Sequence, residues 1–324
     1  MLLNLVEAVT NALDVAMTQD KNVVVFGEDV GVEGGVFRAT KGLMEKYGAE
    51  RCFDSILAES NIIGSGIGMA INGLKPVVEI QFSGFMFPGF NQIVTHAARM
   101  RNRSRGLYTV PMVIRMPYGG GVRALEHHSE SLEVLFAHTA GLKVVIPSTP
   151  YDAKGLLLAA IADPDPVIFM EPKRIYRAFK QEVPDEYYTI PIGKAKVVKE
   201  GKDLTVVAWG AMVRETQKAI ETLEKEGHSI ELIDLRTISP IDKETILASV
   251  QKTGRFAVVH EAAQTYGPGA ELITIVNEGA FLYLEAPPKR IASNDTIVPL
   301  PKGEHHYVPD TSMILSELRS VLEF

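Results

Sequence analysis

Short, unbroken apolar runs rich in β-branched residues constrain this chain more than any other feature. Asn22-Val23-Val24-Val25-Phe26 is the first, and similar runs follow at 76–80, 112–116, 142–146 and 166–170. A strand that is apolar on both sides has to be covered on both faces, as in a parallel sheet held between two helical layers. The intervening segments supply the helices. Leu2, Leu5, Val9, Leu13, Ala16 and Met17 recur at helical spacing and predict a helix over 4–19, with others near 59–73, 86–103 and 151–162. A further short strand is expected around Cys52–Asp54. Alternation of this kind defines an α/β domain.

The same alternation resumes later, with strands predicted at 204–209, 230–234 and 256–260 and helices near 211–226, 241–252, 269–280 and 311–322. Between the two blocks the chain turns polar and passes Pro172, Pro184 and Pro191 without the Gly/Ser richness of a flexible linker. The expected organisation is a first domain over 1–180, an ordered connector over 181–203 with a short strand, and a second domain over 204–324. A length of 324 residues suits two domains, each large enough to bury its own core.

Composition removes several function classes. Asp and Glu outnumber Lys and Arg, 40 to 33, for a net charge of −7, so neither a polyanion nor an anionic membrane attracts the chain. One cysteine, Cys52, rules out an intrachain disulfide framework and any multi-cysteine metal site. No apolar stretch approaches a membrane span, and the start lacks the basic and apolar blocks of a secretory signal. The expectation is a cytoplasmic protein that binds neither nucleic acid nor membrane.

In an open parallel sheet, ligands gather beyond the carboxyl ends of the strands. That rule selects Gly27-Glu28-Asp29-Val30-Gly31, the segment from Gln81 to Phe85, and Tyr118 to Gly121 leading into His127-His128-Ser129. Glu59 opens the helix after the short strand, within Ile56-Leu57-Ala58-Glu59-Ser60-Asn61-Ile62-Ile63. Apolar surroundings disfavour a charged carboxyl and suit it to proton exchange. The plainer alternative is an exposed first-turn acid complementing the helix dipole. His127 and His128 follow a glycine hinge, where acid–base work and simple surface polarity are both open; they lack the spacing of a zinc pair.

Other features read as structural. Gly64-Ser65-Gly66-Ile67-Gly68-Met69 fails the dinucleotide fingerprint because Met69 stands where its third glycine belongs. Those glycines, with Gly73, more simply allow close approach to a neighbour. Arg99, Arg101, Arg103 and Arg105 end a predicted helix and complement its negative terminus. Trp209-Gly210 and His260-Glu261 read as ordinary strand-end turns.

A longer set of segments occurs in one order over nearly the whole chain. It comprises Gly27-Glu28-Asp29-Val30-Gly31 with Gly34-Gly35-Val36-Phe37, Leu57-Ala58-Glu59, Glu79-Ile80-Gln81-Phe82, His128-Ser129 and Gly141-Leu142-Lys143-Val144-Val145. Ser148-Thr149-Pro150-Tyr151-Asp152-Ala153, Asp165-Pro166-Val167 and Asp234-Leu235-Arg236-Thr237 complete it. Together they resemble the β subunit of the thiamine-diphosphate-dependent 2-oxoacid dehydrogenases, the decarboxylating component of those complexes. The resemblance implies a transketolase-like pyrimidine-binding domain followed by a transketolase C-terminal domain.

It also implies roles. Glu59 matches the glutamate that hydrogen-bonds the aminopyrimidine and favours the imino tautomer able to deprotonate the thiazolium. Phe85 matches the aromatic residue stacked on that ring, and Glu28 and Gln81 match positions near the cofactor. His128 matches a histidine close to the substrate and the incoming lipoyl group. A structural potassium ion, held largely by main-chain oxygens, falls at Met112, Ala160, Ile161, Asp163 and Asp165. The family often has Asn where this chain has Asp165. The magnesium-anchoring Gly-Asp-Gly motif is absent from the sequence, and in the family it belongs to an α subunit. The chain is therefore expected to complete its site only with an α partner, as two α and two β chains.

Phe87-Pro88-Gly89-Phe90-Asn91-Gln92-Ile93-Val94 and Phe136-Ala137-His138 lean the substrate toward branched-chain 2-oxo acids over pyruvate. The alternatives are an acetoin-cleaving or transketolase-like subunit, or a noncatalytic subunit that stabilises a partner.

Overall fold

A computed structural model describes residues 1–324. The chain divides into two units, one of Met1–Tyr118 with Leu135–Ile192 and the other of Gly119–Val134 with Gly193–Phe324. The polar stretch expected to be a connector is thus shared: residues 181–192 go with the first unit, and the second begins at Gly193. Residues 119–134 leave the first unit for the second, a crossing that chain order does not announce.

The first unit opens with α1, Leu5–Gln19, which starts at a reciprocal cap between Asn4 and Glu7. Its core side chains Leu5, Ala8, Val9, Ala12 and Leu13 are fully buried, as their spacing requires. Then come β1 (Val23–Gly27), β2 (Cys52–Asp54), α2 (Glu59–Ile71), β3 (Lys75–Glu79), β4 (Val113–Tyr118), β5 (Lys143–Val145), α3 (Pro150–Ala162) and β6 (Val167–Pro172). These strands lie side by side in the order β5-β6-β4-β3-β1-β2, and every pairing among them is parallel. Val25 faces Val77, Val78 faces Ile114 and Ile114 faces Ile168, so the apolar runs meet in register. From β1 the chain goes to β2 on one side and then crosses to β3 on the other. That reversal is a topological switch point, and it lies at the carboxyl ends of β1 and β3.

The helix expected over 86–103 is broken. A 3-10 turn at Ser83–Met86 leads into a short helix, Phe87–Gln92, then a π-turn at Ile93–Ala97 and a last helical turn at Met100–Arg103. Pro88 stands in the first turn of the short helix, where it lacks a donor to continue one from upstream. Of the glycines in α2, Gly66 makes the close approach, since a Cβ there would meet Met112 at 2.6 Å, whereas Gly64 and Gly68 face open space.

The second unit has β7 (Lys196–Lys199), β8 (Leu204–Ala208), α4 (Ala211–Lys225), β9 (Ile230–Asp234), α5 (Lys243–Thr253), β10 (Phe256–Ala263), α6 (Pro268–Ala280), β11 (Lys289–Ser293) and α7 (Thr311–Leu322). Its sheet runs β11-β10-β8-β9-β7, parallel except for the antiparallel edge strand β7. No helix is long and apolar enough to cross a membrane.

Candidate active site

The switch point of the first unit gathers Glu28, Asp29, Glu59 and Gln81. Glu28 directly follows β1 and is half-buried. Its carboxyl is held above the usual range by burial and by the negative charges of Asp29 and Glu59. The Gln81 amide, just past β3, donates to the Asp29 carboxylate at 3.1 Å. Asp29 adopts a left-handed backbone, φ 57°, and its carbonyl accepts from the Gly35 N–H at 2.7 Å. The loop is held from β2, where Asp54 accepts the N–H groups of Gly31 at 2.6 Å and Val32 at 3.2 Å. Sequence reading selected Glu28 and Gln81 but overlooked Asp29 as a partner and Asp54 as a support.

Glu59 is the first residue of α2 and is half-buried. The apolar residues around it in sequence do not enclose it as expected. Ile56 and Leu57 are exposed at 69% and 75%, while Ile62 and Ile63 turn into the core. Ile56 and Leu57 precede the helix in a segment that leaves them in solvent, so apolar letters beside Glu59 in sequence overstated the burial of this carboxyl. Its nearest support is the helix Phe87–Gln92. A Cβ on Gly89 would lie 3.0 Å from the Glu59 carbonyl and 3.0 Å from the Ile63 side chain. Only glycine lets that helix approach the start of α2 so closely. Phe85, in the preceding 3-10 turn, is half-buried and packs edge-on against Phe82 with ring centroids 5.2 Å apart.

Directly beneath the rim lies a charged cluster that sequence reading missed. Arg115 on β4 is fully buried and donates to Glu79 on β3 at 2.7 Å and to Glu171 on β6 at 2.6 and 3.0 Å. The Tyr176 hydroxyl donates to Glu171 at 2.6 Å. Burial opposes the guanidinium charge, but Glu171 and Glu79 outweigh it and raise the Arg115 pKa. Charged letters inside otherwise apolar strand runs were the available signal, because such residues survive burial only in pairs.

His128 belongs to the second unit. It ends a 3-10 turn, Glu126–His128, in the segment 119–134. Trp209 and His260, read from sequence as turn residues, stack in that unit with centroids 5.2 Å apart and planes 9° apart. Burial lowers the His260 pKa to about 4, so the ring is neutral at physiological pH. Cys52 is buried, which pushes its thiol up to about 11 and leaves it unreactive.

The residues expected to hold potassium cluster near the end of α3. Val167 N–H donates to the Met112 carbonyl at 3.0 Å, and Asp163 N–H to the Ala160 carbonyl at 3.3 Å. Asp163 takes the Lys143 ammonium at 2.6 Å, and Asp165 takes the Arg101 guanidinium at 2.7 Å. Both carboxylates are thus engaged by cations of the chain.

Comparison with known proteins fits this geometry. The transketolase pyrimidine-binding domain model matches residues 3–178, and the transketolase C-terminal domain model matches residues 193–314. A solved structure titled "Split gene transketolase, inactive beta4 tetramer" shares the fold, with a TM-score of 0.81, 22% identity and 99% of both chains covered. Among curated proteins, the chain is 66% identical to the pyruvate dehydrogenase E1 component subunit beta of Acholeplasma laidlawii, over 99% of this chain and 98% of that one. The proteins of the same name from Mycoplasma genitalium and Bacillus subtilis are 54% and 52% identical, each over 99% of this chain and 98% and 99% of theirs. The chain belongs to the E1 β-subunit family of the thiamine-diphosphate-dependent 2-oxoacid dehydrogenases, an oxidoreductase component. The lean toward branched-chain substrates finds no support among these relatives, all of which carry the pyruvate name.

Proposed function

We propose that this chain is the β subunit of a pyruvate-type E1 component, which decarboxylates pyruvate and passes the acyl group to a lipoyl domain in the cytoplasm. The observation that carries the reading is the cluster of Glu28, Asp29, Glu59 and Gln81 at the switch point. Clustered carboxyl groups, an amide and the Phe85 ring suit the aminopyrimidine of thiamine diphosphate, a nitrogen-rich aromatic that both donates and accepts. They do not suit its diphosphate, which an acidic cluster repels. With no Gly-Asp-Gly in the chain, magnesium and the diphosphate fall to an α subunit, in an assembly of two α and two β chains.

When bound, the thiazolium supplies an electron sink for decarboxylation. Glu59 holds or gives a proton at a pyrimidine nitrogen, with Glu28 beside it. Phe85 supports the ring face, and Gln81 orients Asp29. His128 positions or protonates groups at the acyl-transfer step. The potassium site uses main-chain oxygens of Met112, Ala160, Ile161, Asp163 and Asp165, with the two aspartate side chains kept by Lys143 and Arg101.

The test is reconstitution with the α subunit, magnesium and thiamine diphosphate, followed by a substrate panel. Pyruvate is expected to exceed branched-chain 2-oxo acids in kcat/KM, and acetoin and sugar phosphates are expected to give no turnover. Preference for a branched-chain acid, for acetoin or for a sugar phosphate overturns the assignment.

A further inference from the structure

The loop that carries His128 is held by carboxylates through its backbone. Gly119 N–H donates to the Glu130 carbonyl at 3.0 Å and closes the loop on itself. Gly120 N–H donates to the Glu261 carboxylate at 2.6 Å. Gly121 N–H and Arg123 N–H donate to the two oxygens of Glu304 at 2.8 and 2.6 Å. At the far end, the Glu133 carboxyl accepts the Trp209 indole N–H at 3.2 Å. Glu261 stands on β10 and Glu304 opens the 3-10 turn Glu304–His306, and both are 3% exposed. Gly119 and Gly121 at φ 82° and Arg123 at φ 59° take left-handed conformations, which turn successive N–H groups toward these acceptors. At Gly119 a Cβ would lie 2.8 Å from the Glu261 carboxylate, so only glycine admits the approach.

Placing two carboxylates out of water to hold a loop by its main chain is costly unless the bonds are good, and N–H to carboxylate bonds are among the stronger kinds. A neutral side chain could tie down a loop, but only a carboxylate presents two equivalent acceptors to N–H groups two residues apart. We propose that Glu304 and Glu261 are positioning residues for His128, fixing one backbone geometry of its loop for the acyl-transfer step. This rests on the role given to His128 above. Neither glutamate touches a reacting atom; each acts through the loop.

The test uses the chain assembled with its α partner, magnesium and thiamine diphosphate. Amide hydrogen exchange is followed over 119–134, and turnover is measured with a lipoyl domain and with an artificial electron acceptor that bypasses it. Glu304→Gln keeps the side-chain size but offers one acceptor oxygen in place of two. It is expected to speed exchange at Gly121 and Arg123 and to lower kcat for lipoyl transfer on the order of a hundred-fold, the scale of a displacement of about 1 Å. KM for the 2-oxo acid and the artificial-acceptor rate stay within about two-fold, because binding and decarboxylation do not pass through the loop. Glu304→Asp, which keeps both oxygens, recovers part of the loss. Glu261→Gln reproduces the pattern at Gly120 and serves as the readout where Glu304→Gln assembles poorly. His128→Gln loses transfer with exchange unchanged. Unaltered transfer or exchange in both glutamate variants, beside a dead His128→Gln, overturns the clamp and leaves the histidine role standing. Normal transfer in His128→Gln overturns that role and the purpose of the clamp together.

Discussion

Two sets of carboxylates lie one above the other in the first unit, and they differ in their partners. Glu79 and Glu171 are buried in the sheet and share Arg115, with Tyr176 completing the set. Glu28, Asp29 and Glu59, just past the strand ends, bring like charges together, and Glu28 is held toward its protonated form by burial and by the other two. Glu79 and Gln81 are two residues apart in sequence yet serve these different regimes. Burial raises the Glu79 carboxyl too, but there a buried guanidinium pulls the other way, whereas Glu28 has only like charge beside it. The set with a cation acts as a rigid floor, and the set without one borders the strand ends where a ligand fits.

The largest effect is expected from replacing the Glu59 carboxyl at the rim. Glu59→Gln is expected to lower decarboxylation by the reconstituted enzyme about a thousand-fold, within the span of general acid–base catalysis, with thermal stability unchanged. Normal turnover would remove Glu59 from the chemistry. Next comes the floor. Arg115→Met leaves Glu79 and Glu171 buried without a cation and is expected to cost about 3–5 kcal/mol in denaturant unfolding. Adding Glu79→Gln and Glu171→Gln to that variant should restore much of the loss, and no restoration would deny that charge pairing is the floor's role.

A smaller effect separates position from chemistry. Gly89→Ala inserts a methyl 3.0 Å from the Glu59 carbonyl, so the start of α2 must shift by a few tenths of an ångström. A loss of about ten-fold in kcat with little change in stability is expected, and wild-type kcat would show that Glu59 tolerates the shift. The mildest effect concerns Glu133, a buried carboxyl with an indole partner. Burial raises its pKa from 4.5 to about 7, against the opposing pull of the Trp209 bond. Between those two values the native state keeps a proton that the unfolded chain has released. Its contribution to stability is therefore greatest below pH 4.5 and falls as pH rises to about 7, beyond which it levels off. Glu133→Gln should flatten that part of a stability–pH curve measured by unfolding, and an unchanged slope would refute the shift.

Much of this molecule was legible in the sequence. Apolar runs at 22–26, 76–80, 112–116 and 166–170 became parallel strands within about one or two residues of their expected bounds, because a doubly covered strand leaves little freedom in composition. The strand-end rule led to Glu28 and Gln81 for the same reason: topology puts chain reversals where ligands fit. The long helix over 86–103 was misread because its apolar spacing is helical while Pro88 and the approach at Gly89 interrupt it. The surroundings of Glu59 differ from the expectation because Ile56 and Leu57 lie in the exposed segment before the helix, where apolar letters need not be covered.

The sequence alone determined the two α/β blocks, the acidic balance and the absence of a Gly-Asp-Gly motif. These follow from composition and local period, which neighbouring residues carry between them. Only the tertiary structure decided that Arg115 joins Glu79 to Glu171, that Gly89 seats Glu59, and that the His128 loop rests on Glu261 and Glu304. Those contacts join residues between 30 and 183 positions apart, with the loop's own at the far end of that span. Bonds of that reach depend on where folding brings distant segments, and no local pattern records them.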